Sequence, residues 1–270
     1  MATPRTARPG MLLDPGAPIN SGLVGWWPMW EGAGGKVMDI TADGRHGTLT
    51  NGPVWSGGGV KFDGSDDYIG AAAVTELQGS STFTIMLEVA ASAFTSNKGA
   101  LAIRNGTAAT TLWILYPYDS VNGNGPSIYY NGGIVIDVNS GYPDANGKFN
   151  TFLFRSNSAT NYELFVNGLS LASNTVSKSM SSTLSDTTIG TWYPGSGQNF
   201  SGWVRNVRIW NRPLTNPEIN ALTLNPAKGL WVPDIKQYYI PAAGGNYGRL
   251  INPSGMAGGG GYLIGGGLAA

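Results

Sequence analysis

A chain of 270 residues is long enough for one large β-domain with tails, since sandwiches commonly run to about 200–250 residues as one unit. Sixteen basic residues balance sixteen acidic ones, and only 12% of the chain is charged, which argues against nucleic acid or an anionic membrane surface as partner. Without cysteine there is no disulfide and no thiolate metal site.

Residues 1–21 carry Pro4, Pro9, Pro15 and Pro18 with no apolar periodicity, and read as an extended arm. Met11-Leu12-Leu13 is too short for the apolar region of a signal peptide, so the expectation is a chain that stays in the cytoplasm where it is made. No run approaches the roughly 18–20 apolar residues of a membrane span.

From Leu23 short β-branched or alternating runs follow one another. They lie at Leu23–Pro28, Val37–Asp39, Gly47–Leu49, Val60–Phe62, Ser81–Ala90, Ala100–Arg104 and Thr111–Tyr116. Others lie at Ser127–Tyr130, Ile134–Val138, Thr151–Arg155, Asn161–Val166, Leu169–Ala172, Asp186–Gly190 and Gly202–Trp210. Gly, Asn, Asp and Ser clusters separate them, the pattern of a sandwich rather than of βαβ units. Thr82–Ala90 reads as the central strand. Phe83, Ile85, Leu87 and Val89 would point into the core with Leu153, Leu164, Val166, Ile189, Val207 and Ile209. Asn167-Gly168 between two apolar runs predicts a type I′ hairpin turn. Trp203–Trp210 alternates, with Arg205, Val207 and Ile209 on one face and Val204, Asn206, Arg208 and Trp210 on the other. Pro213 ends that strand, and Thr215 with Pro217 and Glu218 starts a short helix.

Beyond Asn225 the character changes. Residues 225–241 are aromatic and proline-punctuated; residues 242–270 are Gly-rich with apolar islands and a single charge, Arg249. A free linker usually carries Ser or charge, so this tail is expected to pack on a neighbour. The chain thus divides into an arm over 1–21, a domain over 22–226 and a second arm over 227–270.

Five stretches carry a family resemblance. Gly202-Trp-Val-Arg-Asn-Val-Arg-Ile-Trp-Asn-Arg-Pro-Leu-Thr-Asn-Pro-Glu-Ile219 resembles the last strand and helix of laminin G-like jelly rolls of the concanavalin A-like lectin/glucanase superfamily. Gly22–Trp27 resembles that family's first strand, Asp39–Trp55 its early loop and second strand, Val60–Ile69 the next hairpin, and Leu164–Gly168 a mid-domain hairpin. The resemblance implies an all-β fold: a two-sheet antiparallel β-sandwich with one short helix. It leaves function open, because the family holds lectins, adhesion modules, enzymes and structural domains.

The chemistry-bearing residues are few. Glucanases of the superfamily place acids at alternate positions of one strand, about 5–5.5 Å apart. Here strand acids are isolated (Glu88, Asp137, Glu163), and Asp63-Gly-Ser-Asp66-Asp67 reads as a turn. His46 is the sole histidine, which excludes multi-histidine metal sites. Related domains often bind Ca²⁺ in the early Asp/Asn loop, which points to Asp39, Asp43 and Asn51. That region reads Asp-Ile-Thr-Ala-Asp-Gly where the family pattern often has Asp-x-Ser-Gly-Asn-Gly. Sugar sites need aromatic platforms, and Trp113, Tyr116, Tyr118, Trp192 and Tyr193 lie in or beside expected loops.

The expectation is therefore a non-enzymatic structural or binding protein. The foremost reading, which leans on the resemblance, is a bacteriophage virion protein that decorates or cements a capsid. Its arms would contact neighbouring capsid subunits, with a homo-oligomer as the working form. The alternative is a carbohydrate-binding adhesion module on a virion or bacterial surface.

Overall fold

The computed structural model describes residues 12–92, 98–106, 111–119, 125–130, 133–138, 147–175, 179–231, 238–241 and 248–251. The chain opens with β1 (Leu12–Leu13), a 3₁₀ turn (Pro18–Asn20), β2 (Leu23–Trp27), β3 (Lys36–Val37), β4 (Gly47–Thr50) and β5 (Val54–Ser56). Then come β6 (Gly59–Asp63), β7 (Tyr68–Ala72), a second 3₁₀ turn (Thr75–Leu77), β8 (Phe83–Ala91), β9 (Leu101–Arg104) and β10 (Thr111–Asp119). The middle supplies β11 (Gly125–Tyr130), β12 (Gly133–Asp137), β13 (Asn150–Ser158), β14 (Asn161–Val166) and β15 (Leu169–Asn174). β16 (Asp186–Ile189), β17 (Ser201–Trp210), α1 (Asn216–Leu224), β18 (Leu230–Trp231), β19 (Tyr238–Pro241) and β20 (Gly248–Ile251) complete the order.

Two eight-stranded antiparallel sheets face each other. The first runs β12-β11-β10-β9-β16-β7-β4-β3; the second runs β15-β14-β13-β8-β17-β6-β5. In the second sheet β17 uses one edge twice. Ser201–Val204 pairs with β6, and Val207–Trp210 pairs with β2. β8 lies between β13 and β17, the central place expected of it. Val54–Ser56 and Tyr68–Ala72 are strands that alternation did not reveal, since the first is only three residues long and the second ends in Gly70, Ala71 and Ala72.

The core lies between the sheets. Phe83, Ile85, Leu87 and Val89 of β8 enter it with Phe152, Phe154, Leu164, Val166, Val207 and Ile209, against Ile69, Leu101, Ile103 and Ile189 of the first sheet. Leu153 corrects the sequence expectation. Its neighbours Phe152 and Phe154 point inward, so period-2 alternation sends Leu153 to the outer face. There it joins Met86, Phe165 and Trp210 beneath Ile219 and Leu222 of α1. A second correction concerns β17. Val204 shares the core with Val207 and Ile209 because Asn206, at φ 53°, forms a bulge that resets the alternation.

Asn167 (φ 51°) and Gly168 (φ 81°) make the expected two-residue turn, joining Val166 to Leu169. The Glu218 carboxylate reaches back to the Thr215 N–H (2.8 Å) and hydroxyl (2.9 Å) at the start of α1.

The chain ends nearest the domain are held by the domain itself. β1 pairs with β18, and the Asn20 amide donates to the carbonyls of Asp14 and Gly229, both at 2.7 Å. Arg208, wholly buried, lies over the Trp26 ring at 3.5 Å and donates to the carbonyls of Pro226 and Lys228. The Trp210 indole donates to Ile19 O at 2.8 Å. Of the two arms expected from the sequence to contact neighbours, the described segments 12–21 and 226–231 dock side by side on the outer face of their own second sheet.

Candidate binding face

On the first sheet Leu101, Ile103, Ile128 and Ile189 point into the core. Their neighbours Ala102, Arg104, Ser127, Tyr129, Asp186 and Thr188 therefore share the outer face. After β16 the chain turns sharply at Gly190, whose φ of 89° suits glycine and where a Cβ would stand 2.3 Å from the Phe62 ring. The turn folds Thr191 and Trp192 back, with the Thr188 hydroxyl placed against the carbonyls of Thr191 (3.1 Å) and Trp192 (3.2 Å).

Trp192 settles on Ala102, a residue small enough to form a shelf, beside Tyr129. Its ring lies edge-on to Tyr129 at 6.1 Å and to Tyr193 at 5.4 Å. All three rings are half-buried. Arg104 stands 5.9 Å from the Tyr193 ring centre, 3.5 Å from the Asp186 carboxylate, and donates to Gly106 O at 3.2 Å. The Trp192 indole N–H has no hydrogen-bond partner among the described residues. The face thus offers apolar ring surfaces and the partly exposed Asp186 carboxylate, whose charge the buried Arg104 offsets. That combination suits a neutral polyhydroxylated ligand.

Of the five aromatic residues singled out in the sequence, Trp192 and Tyr193 meet here. Trp113 and Tyr116 sit on β10 opposite Ile103 and Ser127 respectively, and Tyr118 lies further along the same strand. The side chains of these three lie outside the described residues. Tyr129 and Arg104 were missed. Both lie within short runs read as strands, Ser127–Tyr130 and Ala100–Arg104, and the alternation within those runs sets them on the face opposite the core residues Ile128 and Ile103.

The residues read as calcium ligands are not gathered into one site. Asp39 is buried and fully used: one oxygen accepts from the N–H groups of Trp26 and Thr41 (both 3.0 Å) and the Thr41 hydroxyl (2.8 Å), the other from Arg45 N (3.0 Å). Asp43 pairs with Arg45 at 3.2 Å. Asn51 lies past the far end of β4, roughly 13 Å along the strand, where it donates to Asp66 O at 3.1 Å. Asp39 therefore organises a loop that His46 completes by accepting the Asp39 N–H at 3.1 Å.

Three other carboxylates do converge. One oxygen each of Asp63, Asp66 and Asp67 lies within 4.8 Å of the others, in the β6–β7 turn. Burial pushes the Asp67 carboxyl up; the Asp63 N–H, which it accepts at 2.9 Å, opposes this, and the Asp63 and Asp66 charges reinforce it. Asp63 also accepts from Ser65 N at 2.7 Å, the turn role read from the sequence. Glu88 and Glu163 are held by Arg205 (3.2 Å) and Arg155 (2.6 Å) in separate ion pairs.

Comparison with known proteins agrees with this architecture. A family model described as the concanavalin A-like lectin/glucanases superfamily matches residues 63–220. No curated protein sequence matches the chain. Among solved structures, a Trypanosoma rangeli sialidase in complex with 2,3-difluoro-KDN is 18% identical over 79% of this chain and 36% of its own, with TM-score 0.60. The chain thus spans about a third of the sialidases it resembles. Domain 4 of the arabinanase AbnA from Geobacillus stearothermophilus, in complex with arabinotriose, is 14% identical over 74% of this chain and 98% of its own, with TM-score 0.58. The binding domain of botulinum neurotoxin serotype D is 15% identical over 82% and 54%, with TM-score 0.50. At these identities the likeness is one of fold.

Proposed function

We propose, from the premise that this chain belongs to the concanavalin A-like lectin/glucanases superfamily, that its jelly roll is a non-enzymatic carbohydrate-binding module. The observation that carries the reading is the Trp192–Tyr193–Tyr129 cluster on the outer face of the first sheet, beside the Arg104–Asp186 pair. Indole and phenol rings take the C–H face of a sugar, while the partly exposed Asp186 carboxylate meets its hydroxyls. The AbnA domain, whose whole length is covered by the likeness and which is seen with arabinotriose, supports an oligosaccharide as ligand class. Hydrolysis is not part of the proposal: Glu88 and Glu163 are each tied up by an arginine, without the paired geometry of a glycosidase.

The module is proposed to work on the surface of a larger assembly, with a bacteriophage virion and its capsid as the preferred setting and a bacterial surface as the other. What favours display is that the arm segments next to the domain, residues 12–21 and 226–231, dock on the second sheet, opposite the aromatic cluster. A glycan array probed with the full chain tests the first half. Binding to neutral oligosaccharides is expected, and a blank array at high protein concentration overturns it. Deleting residues 242–270 tests the second: loss of incorporation into particles, with a folded β-domain retained, is expected, and normal incorporation contradicts it.

A further inference from the structure

A second aromatic cleft opens at the sandwich edge, away from the Trp192 face. It lies between the loop after β2 and the β5–β6 hairpin, encloses about 180 Å³, and is lined by Met29, Trp30, Gly32, Trp55 and the turn Ser56–Gly59. By volume it has room for on the order of six waters, the space of one small ring.

Its walls are held in place. The Trp55 indole donates to Gly34 O at 2.7 Å, which pins the ring edge while Trp55 packs partly on the core. Gly57 (φ 61°) and Gly58 (φ 76°) form the hairpin turn, so the main chain here can approach a ligand without a Cβ between. Met29, buried at the floor, takes φ 58°, a left-handed conformation that costs a non-glycine residue energy and tends to persist at binding sites. Beneath Gly57 the Trp203 indole N–H is buried without a hydrogen-bond partner among the described residues. Among the described residues no charged side chain lines the cleft, which argues against a phosphate, a carboxylate or a metal ion as occupant.

We propose that this edge cleft is a second binding site, independent of the Trp192 face, that takes a single neutral sugar ring against the indoles of Trp30 and Trp55. The rings supply apolar faces, and the Ser56 hydroxyl with the glycine main chain supplies polar contacts. A ligand of roughly a dozen heavy atoms in so small a site binds in the millimolar range. Two such sites on one chain raise the avidity for a repeating polysaccharide without any new contact.

The test is a titration of the full chain with neutral methyl glycosides, read from the indole N–H resonances of Trp30 and Trp55, which report this cleft and not the other face. Saturable shifts with at least one glycoside are expected. Trp30→Ala should weaken them at least tenfold. Ser56→Trp, which fills the cleft from an exposed strand position and leaves the core intact, should abolish them at the Trp55 resonance. Absence of saturable shifts with every glycoside, shifts that survive Ser56→Trp, or a response to phenol but to no sugar would each overturn the assignment.

Discussion

Arg208 shows how one residue links the jelly roll to its tail. It is fully buried, and its guanidinium is held by Asn206 and by the carbonyls of Pro226 and Lys228. Burial pulls its pKa down to about 9, against the pull of Glu88, so it stays charged at neutral pH. Arg208→Met takes the guanidinium donor from the Lys228 carbonyl and one of two donors from the Pro226 carbonyl, which Asn206 still reaches at 3.1 Å, and should cost about 3 kcal/mol, measured by guanidinium denaturation. It should also speed amide exchange around Leu230. Glu218 sets a pH dependence. Hydrogen bonds from Arg212, with those from Thr215, hold its carboxyl down at about 2 from the ordinary 4.5. A depressed acid contributes stability above its unfolded value and loses it as pH falls through the folded one. The wild type should therefore lose stability between about pH 4.5 and pH 2, and Glu218→Gln should flatten that slope in acid titrations of the folding midpoint.

At the level of elements, α1 closes the outer face of the second sheet. Leu153→Ala removes an anchor shared by α1, Met86 and Phe165, and is expected to cost about 2–4 kcal/mol with the inner core unchanged in hydrophobic contacts. A loss under 1 kcal/mol would mean that the helix layer is loosely packed. The helix was legible because its stop and start residues, Pro213, Thr215 and Glu218, are local signals; so was the Asn167-Gly168 turn. The face of Leu153 was not legible, because three consecutive apolar residues, Phe152, Leu153 and Phe154, erase the period-2 pattern when both faces of a strand are covered. Asn206 hid its bulge for another reason: only the pairing of β17 with β8 reveals the extra residue. The binding face was half legible. Trp192 and Tyr193 stood out as loop aromatics. Tyr129 and Arg104 join them only through pairing across β11, β10, β9 and β16, which spans residues far apart in sequence.

Over the whole molecule the two faces of the sandwich do different work. The second sheet carries α1 and the docked chain ends; the first carries the aromatic cluster. If this division holds, truncating the tail at residue 241 should leave sugar affinity within about twofold, since residues 226–231, where the tail begins, dock on the sheet opposite the aromatic cluster. Coupling larger than tenfold in the same binding assay would show that the tail reaches the binding face.

The central claim is that the Trp192 face holds a sugar. The most direct measurement is a calorimetric titration of the full chain with a neutral oligosaccharide that it binds, beside Trp192→Ala. Trp192→Ala is predicted to weaken binding at least tenfold, about 1.4 kcal/mol, with the folding midpoint little changed. Equal affinity in the two proteins, or release of reducing ends from the oligosaccharide by the wild type, would contradict the account.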